Sequence, residues 1–216
     1  FDWWCFFKSC RFQRNYRRIL RIMKRSLVFA TGNQHKLEEV QGLLGKDFAL
    51  SCLKDVGITQ DIPETALTLQ ENALQKAQYV FQHCKCACFA HDTGLEIDAL
   101  NGEPGVFSAR YAGPQKDSAA NMQLVLEKLK GIEQRTARFR TVIAYIDADG
   151  NEFLFEGKVE GKIIDTPIGV KGFGYDPIFV PEGFDETFAE LPMDVKNSMS
   201  HRGRAIQKLL EFLVNS

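Results

Sequence analysis

The chain has 216 residues, 44% hydrophobic and 25% charged, enough for one globular domain with at most a small second lobe. Composition and the lack of any apolar run of roughly 18–20 residues exclude a disordered, collagen-like or multispan membrane protein. The net charge of −1 splits into +7 over the first 25 residues and −8 over residues 26–216, and an acidic body is a poor match to duplex nucleic acid. Neither nucleic acid nor a membrane is therefore an expected partner.

Residues 1–25 set Trp3, Trp4, Phe6 and Phe7 beside a run of arginines. Charge follows the apolar residues, the reverse of a secretory signal, and the paired Trp and scarcity of Ser argue against a transit peptide. The segment reads as a basic aromatic extension upstream of a natural start at Met23. A surface-bound amphipathic anchor and a structural element are the alternatives. Residues 26–216 read as one domain.

Leu27-Val28-Phe29-Ala30 predicts a strand entering a turn at Thr31-Gly32-Asn33. A helix follows, with Leu37, Val40, Leu43 and Leu44 on one face and Gly45 to close it. Thr68 and Glu71 fit a capping box that opens a second helix, whose stripe contains Ala73, Leu74, Ala77, Val80 and Phe81. Cys84, Cys86 and Cys88 alternate and would share one face of a strand. Outside the first 25 residues no second C-x₂₋₄-C pair exists, so with Cys5, Cys10 and Cys52 they read as reduced thiols of a cytoplasmic protein. A buried strand over residues 86–90 is expected to deliver His91-Asp92-Thr93-Gly94 at its end. Asp117 or Ser118 caps a helix containing Met122, Val125, Leu126 and Leu129. Period-two alternation over residues 138–147 and 152–158 predicts a hairpin, and Ile163-Ile164 a short further strand. Residues 169–181 read as a Gly- and aromatic-rich loop, and Ser200 caps a last helix. The fold class is α/β or α+β with a mixed sheet.

No standard nucleotide-loop, dinucleotide, zinc-protease or hydrolase-elbow motif occurs. Chemistry rests on polar loops. Thr31-Gly32-Asn33-Gln34-His35-Lys36 joins a strand to a helix N-terminus and adds a cation, a small phosphate cradle or an ordinary capped turn. Glu64 and Asp92 are loop carboxylates that suit Mg²⁺ held jointly with phosphates. Glu64 alone reads equally as a solvated acid, whereas an acid ending an apolar strand is costly unless paired or metal-bound. Lys76 snorkels from an inner stripe or reaches a phosphate. Phe173-Gly174-Tyr175-Asp176 offers aromatic stacking and a carboxylate to a base, or packs into the core. His201 and Arg202 at a helix N-terminus, after Lys196, oppose the macrodipole unless an acceptor binds there.

These residues resemble the inosine triphosphate pyrophosphatases (XTP/dITP diphosphatases). The matching blocks are ATGNQHK (30–36), ETALTLQENALQKA (64–77), AHDTGLEIDALNGEPGVFSARYAG (90–113), GFGYDPIF (172–179) and KNSMSHR (196–202), in family order and spanning residues 27–214. The resemblance implies an elongated mixed β-sheet flanked by helices, two lobes around a central nucleotide cleft, and a homodimer. It implies hydrolysis of ITP, dITP and XTP to the monophosphate plus pyrophosphate. By the same resemblance, residues 31–36 contact triphosphate and sugar, and Lys76 supports the phosphates. Glu64 and Asp92 bind Mg²⁺, with Mn²⁺ as a substitute, and Asp92 accepts a proton from the attacking water. Thr93 contacts substrate, while Phe173, Gly174, Tyr175, Asp176, Lys196, His201 and Arg202 surround the base.

Three departures stand out. His91 replaces the acid common before Asp92, which removes a negative charge beside the metal and favours weaker Mg²⁺ binding, a changed pH profile or a softer ion. Ala66 and Leu69 replace Gly and Phe as packing changes. The alternatives are a nucleotide-binding module that has lost catalysis, a related pyrophosphatase acting on modified pyrimidine nucleotides, and nucleic-acid binding through the basic segment.

Overall fold

A computed structural model describes residues 25–45, 47–60 and 62–215, without the side chains of His35 and Glu39. The extension expected over residues 1–25, with Cys5 and Cys10, lies outside the described residues, except that Arg25 opens the first strand. Seven strands form one mixed sheet: β1 (Arg25–Phe29), β2 (Phe48–Ser51), β3 (Cys88–Ile97), β4 (Pro104–Gly105), β5 (Thr136–Ile146), β6 (Glu152–Ile163) and β7 (Phe179–Pro181). The order is β2-β1-β3-β5-β6-β7, with β4 on β3. β1 runs parallel to β2 and β3, and the remaining pairs are antiparallel. The helices are α1 (Gln34–Leu44), α2 (Leu69–Cys84), α3 (Ser118–Lys128), α4 (Met193–Met199) and α5 (His201–Asn215). This is the mixed α/β fold expected from the sequence.

Alternation along β3 assigns its two faces. Cys88 and Ala90 join Ala73, Ala77 and Val80 of α2 in one core. Phe89 joins Val40 of α1 and Ile206 and Leu209 of α5 in another. Further along the sheet, Leu95, Phe139, Val159, Phe179 and Phe188 build a third core with Val125 and Leu129. The sheet therefore carries α2 on one side and α1 and α5 on the other, and the third core forms a distinct lobe.

The expected caps form. Thr68 Oγ1 accepts from the Glu71 amide at 3.2 Å and donates to its carboxylate at 2.9 Å. Asp117, rather than Ser118, caps α3, accepting from the amides of Ala119 and Ala120. Ser200 Oγ accepts from the Gly203 amide at 3.0 Å.

Four expectations change. The cysteine alternation is not one strand: α2 continues to Cys84, Lys85 caps it at φ 50°, and β3 begins at Cys88. Cys84 lies four residues after Val80 on the buried stripe, so the helical period governs it. The described cysteines 52, 84, 86 and 88 are free thiols. β3 does not end before His91 but runs through to Ile97, because β5 pairs with it along its whole length. Ile163 is the last residue of β6 and not a separate strand. There Gly157 interrupts the pattern because α5 crosses it: a Cβ would collide with the His201 carbonyl. Finally, β7 and α4 lie within or beside the long Gly-rich loop, too short to show a period.

Candidate active site

Unequal strand lengths create the site. β1 pairs with β3 only at Val28 and Phe29, whereas β3 runs eight residues beyond Phe89 to Ile97. The chain leaving β1 peels away over residues 30–33 and enters α1. This exposes the edge of β3 beside Asp92, and α2 lies across it.

Asn33 caps α1 by accepting from the Lys36 amide at 3.1 Å, and Thr31 Oγ1 accepts from the Asn33 amide at 3.1 Å. Thr31, Gly32, Asn33 and Lys36 line a cavity of about 600 Å³ with Glu64 and Lys76. Burial, then repulsion from Arg202 and Lys76, lowers the Lys36 ammonium to about 8.

Lys76 links the two carboxylates. Its Nζ lies 2.6 Å from Glu64 Oε1 and 3.3 Å from Asp92 Oδ1. Asn72, fully buried one turn earlier on α2, donates to Asp92 Oδ2 at 3.3 Å and accepts from the Ala66 amide at 3.0 Å. Arg110 clasps Glu64 from the other side, donating to its carbonyl at 3.3 Å and its carboxylate at 3.5 Å. The carboxyls respond differently. Burial raises Glu64, but Lys76 outweighs it and holds the group below its ordinary value. Burial dominates at Asp92 and, despite Lys76, raises it, with the nearby Glu64 charge adding to the shift.

A second cavity of about 240 Å³ adjoins the first and shares Asn33, Lys36, Ala109 and Lys116 with it. Thr93 lines it, bonded through its hydroxyl to Thr141 at 2.7 Å. Opposite stands a closed unit. Lys196 and Asp176 form a buried ion pair at 2.7 Å, and Asp176 also accepts from the Phe173 amide at 2.8 Å. The turn requires Gly172, at φ 76°, where a Cβ would collide with Asp176 Oδ2. Lys196 and the Arg202 guanidinium both lie over the Phe173 ring, at 5.4 Å. Tyr175 donates to the Ser108 carbonyl at 2.8 Å. His201 stacks on Phe139, with centroids 4.8 Å apart, and its buried Nδ1 has no partner. Burial, then the charges of Arg202 and Lys196, holds this ring well below the ordinary imidazole value, so it is neutral at pH 7.

The structure thus gathers Thr31, Gly32, Asn33, Lys36, Glu64 and Lys76 at one end of a continuous cleft, and Asp92 joins them through its ion pair with Lys76. Thr93, Phe173, Gly174, Tyr175, Asp176, Lys196, His201 and Arg202 meet at the other. Gln34 is not brought in: its side chain is exposed and donates to Glu38 one turn along α1. The His35 side chain lies outside the described residues. Asn72, Arg110 and Lys116 escaped sequence reasoning. Asn72 had a signal, since it falls on the stripe Leu69-Asn72-Ala73-Lys76-Ala77-Val80, where a polar residue must bond inward. Lys116, exposed and at φ 55°, shows none.

Residues 27–212 match the Ham1 family. The chain belongs to the Ham1 family. It is 50% identical over 187 residues to the dITP/XTP pyrophosphatase of Flavobacterium johnsoniae, covering 87% of this chain and 97% of that protein. It is 47% identical over 196 residues to the dITP/XTP pyrophosphatase of Bacillus subtilis, covering 89% and 98%. Among solved structures, the Staphylococcus aureus Ham1 protein superposes with a TM-score of 0.82 at 38% identity, covering 88% of this chain and 99% of its own. The Ham1 match therefore spans both ends of the cleft and all seven strands, apart from the first residues of β1.

Proposed function

We propose that the cleft hydrolyses ITP, dITP and XTP to the nucleoside monophosphate and pyrophosphate. The observation that carries this reading is the placement of Lys76 between Glu64 and Asp92, beside Lys36 and next to a separate aromatic cavity. Anionic phosphates fit the first end and a planar base the second.

Asp92 accepts the proton of the attacking water. Its carboxyl is buried and raised toward the range of a useful base, and Asn72 fixes its orientation. Lys36, Lys76 and the amides at the start of α1 take up the charge that spreads over the phosphates as the α–β anhydride opens. Thr31, Gly32, Asn33 and Thr93 position the chain and sugar. At the other end Phe173 stacks on the base, with Gly174 and Tyr175 completing the turn and Asp176 accepting a ring N–H. Lys196, His201 and Arg202 present donors, which suit a 6-oxo group and oppose the amino group of adenine.

The donor set also fits a metal. Glu64 and Asp92 supply hard carboxylate oxygens, and no cluster of three or more His, Cys, Asp or Glu among the described residues could hold an ion by itself. That suits Mg²⁺, or Mn²⁺ in its place, shared with substrate phosphates; when bound it supplies further charge neutralisation. We further propose a homodimer working in the cytoplasm. Among the described residues no helix is long and apolar enough to cross a membrane.

The test is the product pattern by ³¹P NMR with ITP and Mg²⁺. IMP and pyrophosphate are expected. IDP and orthophosphate would overturn the reading.

A further inference from the structure

His91 is 2% exposed, and neither of its ring nitrogens has a hydrogen-bond partner. Strand alternation turns it away from Asp92 and α2, onto the face shared with Phe29, Phe89 and Ile143. Its ring meets Phe29 edge-on at 5.0 Å. It lines the larger cavity with Thr31, Gly32 and Lys36, and it is absent from the lining of the base-side cavity.

A packing role alone would be served better by an apolar residue. Burying polar atoms without partners is unfavourable, and this ring leaves two. The charged and titratable groups that act on it are Lys36 on α1, Lys76 on α2, and Arg202 and His201 on α5. Either tautomer of the imidazole keeps one N–H to donate. An anion entering beneath the start of α1 would give that N–H an acceptor and balance the cations around it.

We propose that His91 is a substrate-binding residue that donates its ring N–H to the pyrophosphate portion of the triphosphate. The contact lies toward that portion because His91 lines the larger cavity beside Thr31, Gly32 and Lys36 and not the base-side cavity. The proposal rests on the reading of the cleft as a nucleotide site.

The test is calorimetry on the full chain in EDTA, titrating pyrophosphate and, separately, IMP into wild type, His91→Leu and His91→Gln. His91→Leu is expected to weaken pyrophosphate binding roughly tenfold, the scale of a hydrogen bond to a charged group. IMP affinity should be unchanged, and His91→Gln should recover most of the loss through its amide N–H. Thermal melting without ligand should show His91→Leu at least as stable as wild type, since it removes the unpaired atoms; a merely structural histidine would give the opposite. Equal pyrophosphate affinity in wild type and His91→Leu would overturn the proposal. So would lost Mn²⁺ affinity of His91→Leu with pyrophosphate affinity unchanged, the metal being titrated separately in EDTA-free buffer without nucleotide, which would make His91 a metal ligand. If wild type binds neither pyrophosphate nor IMP, the nucleotide-site reading itself fails and takes this proposal with it.

Discussion

The two ends of the cleft keep their charges in opposite ways. At the base end, Asp176 and Lys196 neutralise each other out of solvent, and Phe173 lies beneath both cations. At the phosphate end, Lys36 is lowered to about 8 by burial and neighbouring cations, Asp92 is raised, and His91 has no partner. The first end balances its charges without ligand and leaves only the neutral His201 ring with an unpartnered nitrogen, so it can act as a template for a ring. The second holds Lys36 and His91, whose charge or bonding is unmet and which an anion would satisfy, beside a carboxyl at Asp92 held ready to take a proton. Selectivity and reactivity are thus separated along one groove, the first depending on rigidity and the second on strain in the electrostatics.

The largest effect should fall on the reactive end alone. Asp92→Asn keeps the shape and the Asn72 contact but removes the base, so kcat should drop by about 10²–10⁴-fold with melting unchanged. Near-normal turnover would remove Asp92 from the role proposed here. At the template end, Lys196→Met leaves Asp176 as an uncompensated buried charge. Such breaks cost about 3–5 kcal/mol, and Asp176→Asn added to it should recover much of the loss in a denaturant titration. A smaller effect concerns Lys36. Because its folded value is about 8 and its ordinary value 10.5, the folded protein binds fewer protons than the unfolded chain between those pH values. Ligand-free stability contributed by this group therefore rises with pH across that window, and none of the gain is present below it. Capture of triphosphate runs the other way, and kcat/KM should fall as pH passes about 8. Lys36→Arg, which stays charged, should move that fall to higher pH. Lys36→Met should raise the ligand-free melting temperature at pH 7 by roughly 2–6 °C while weakening substrate capture.

Periodicity and turn chemistry made much of the architecture legible. The stripe of α2, the caps at Thr68, Asp117 and Ser200, and the β5–β6 hairpin all follow from spacing and side-chain chemistry. What escaped depends on contacts between distant segments. Asp92 lies within β3 and not at its end, because the reach of β5 decides how far that strand runs. Gly157 reads as a break in alternation until α5 is seen crossing it. Arg110 belongs to the site through a contact 46 residues away, which no local pattern announces. The sequence placed His91 beside the metal because it adjoins Asp92, whereas the pleat sends the two side chains to opposite faces of the sheet.

Release of pyrophosphate from ITP, XTP, dITP, GTP and ATP with Mg²⁺ tests the division of labour most directly. The account predicts fast release from the first three and little from ATP, since the reactive end is common to all and the donors of the template end suit a 6-oxo group and oppose the adenine amino group. Equal rates with all five would contradict it, and so would the absence of release with either Mg²⁺ or Mn²⁺.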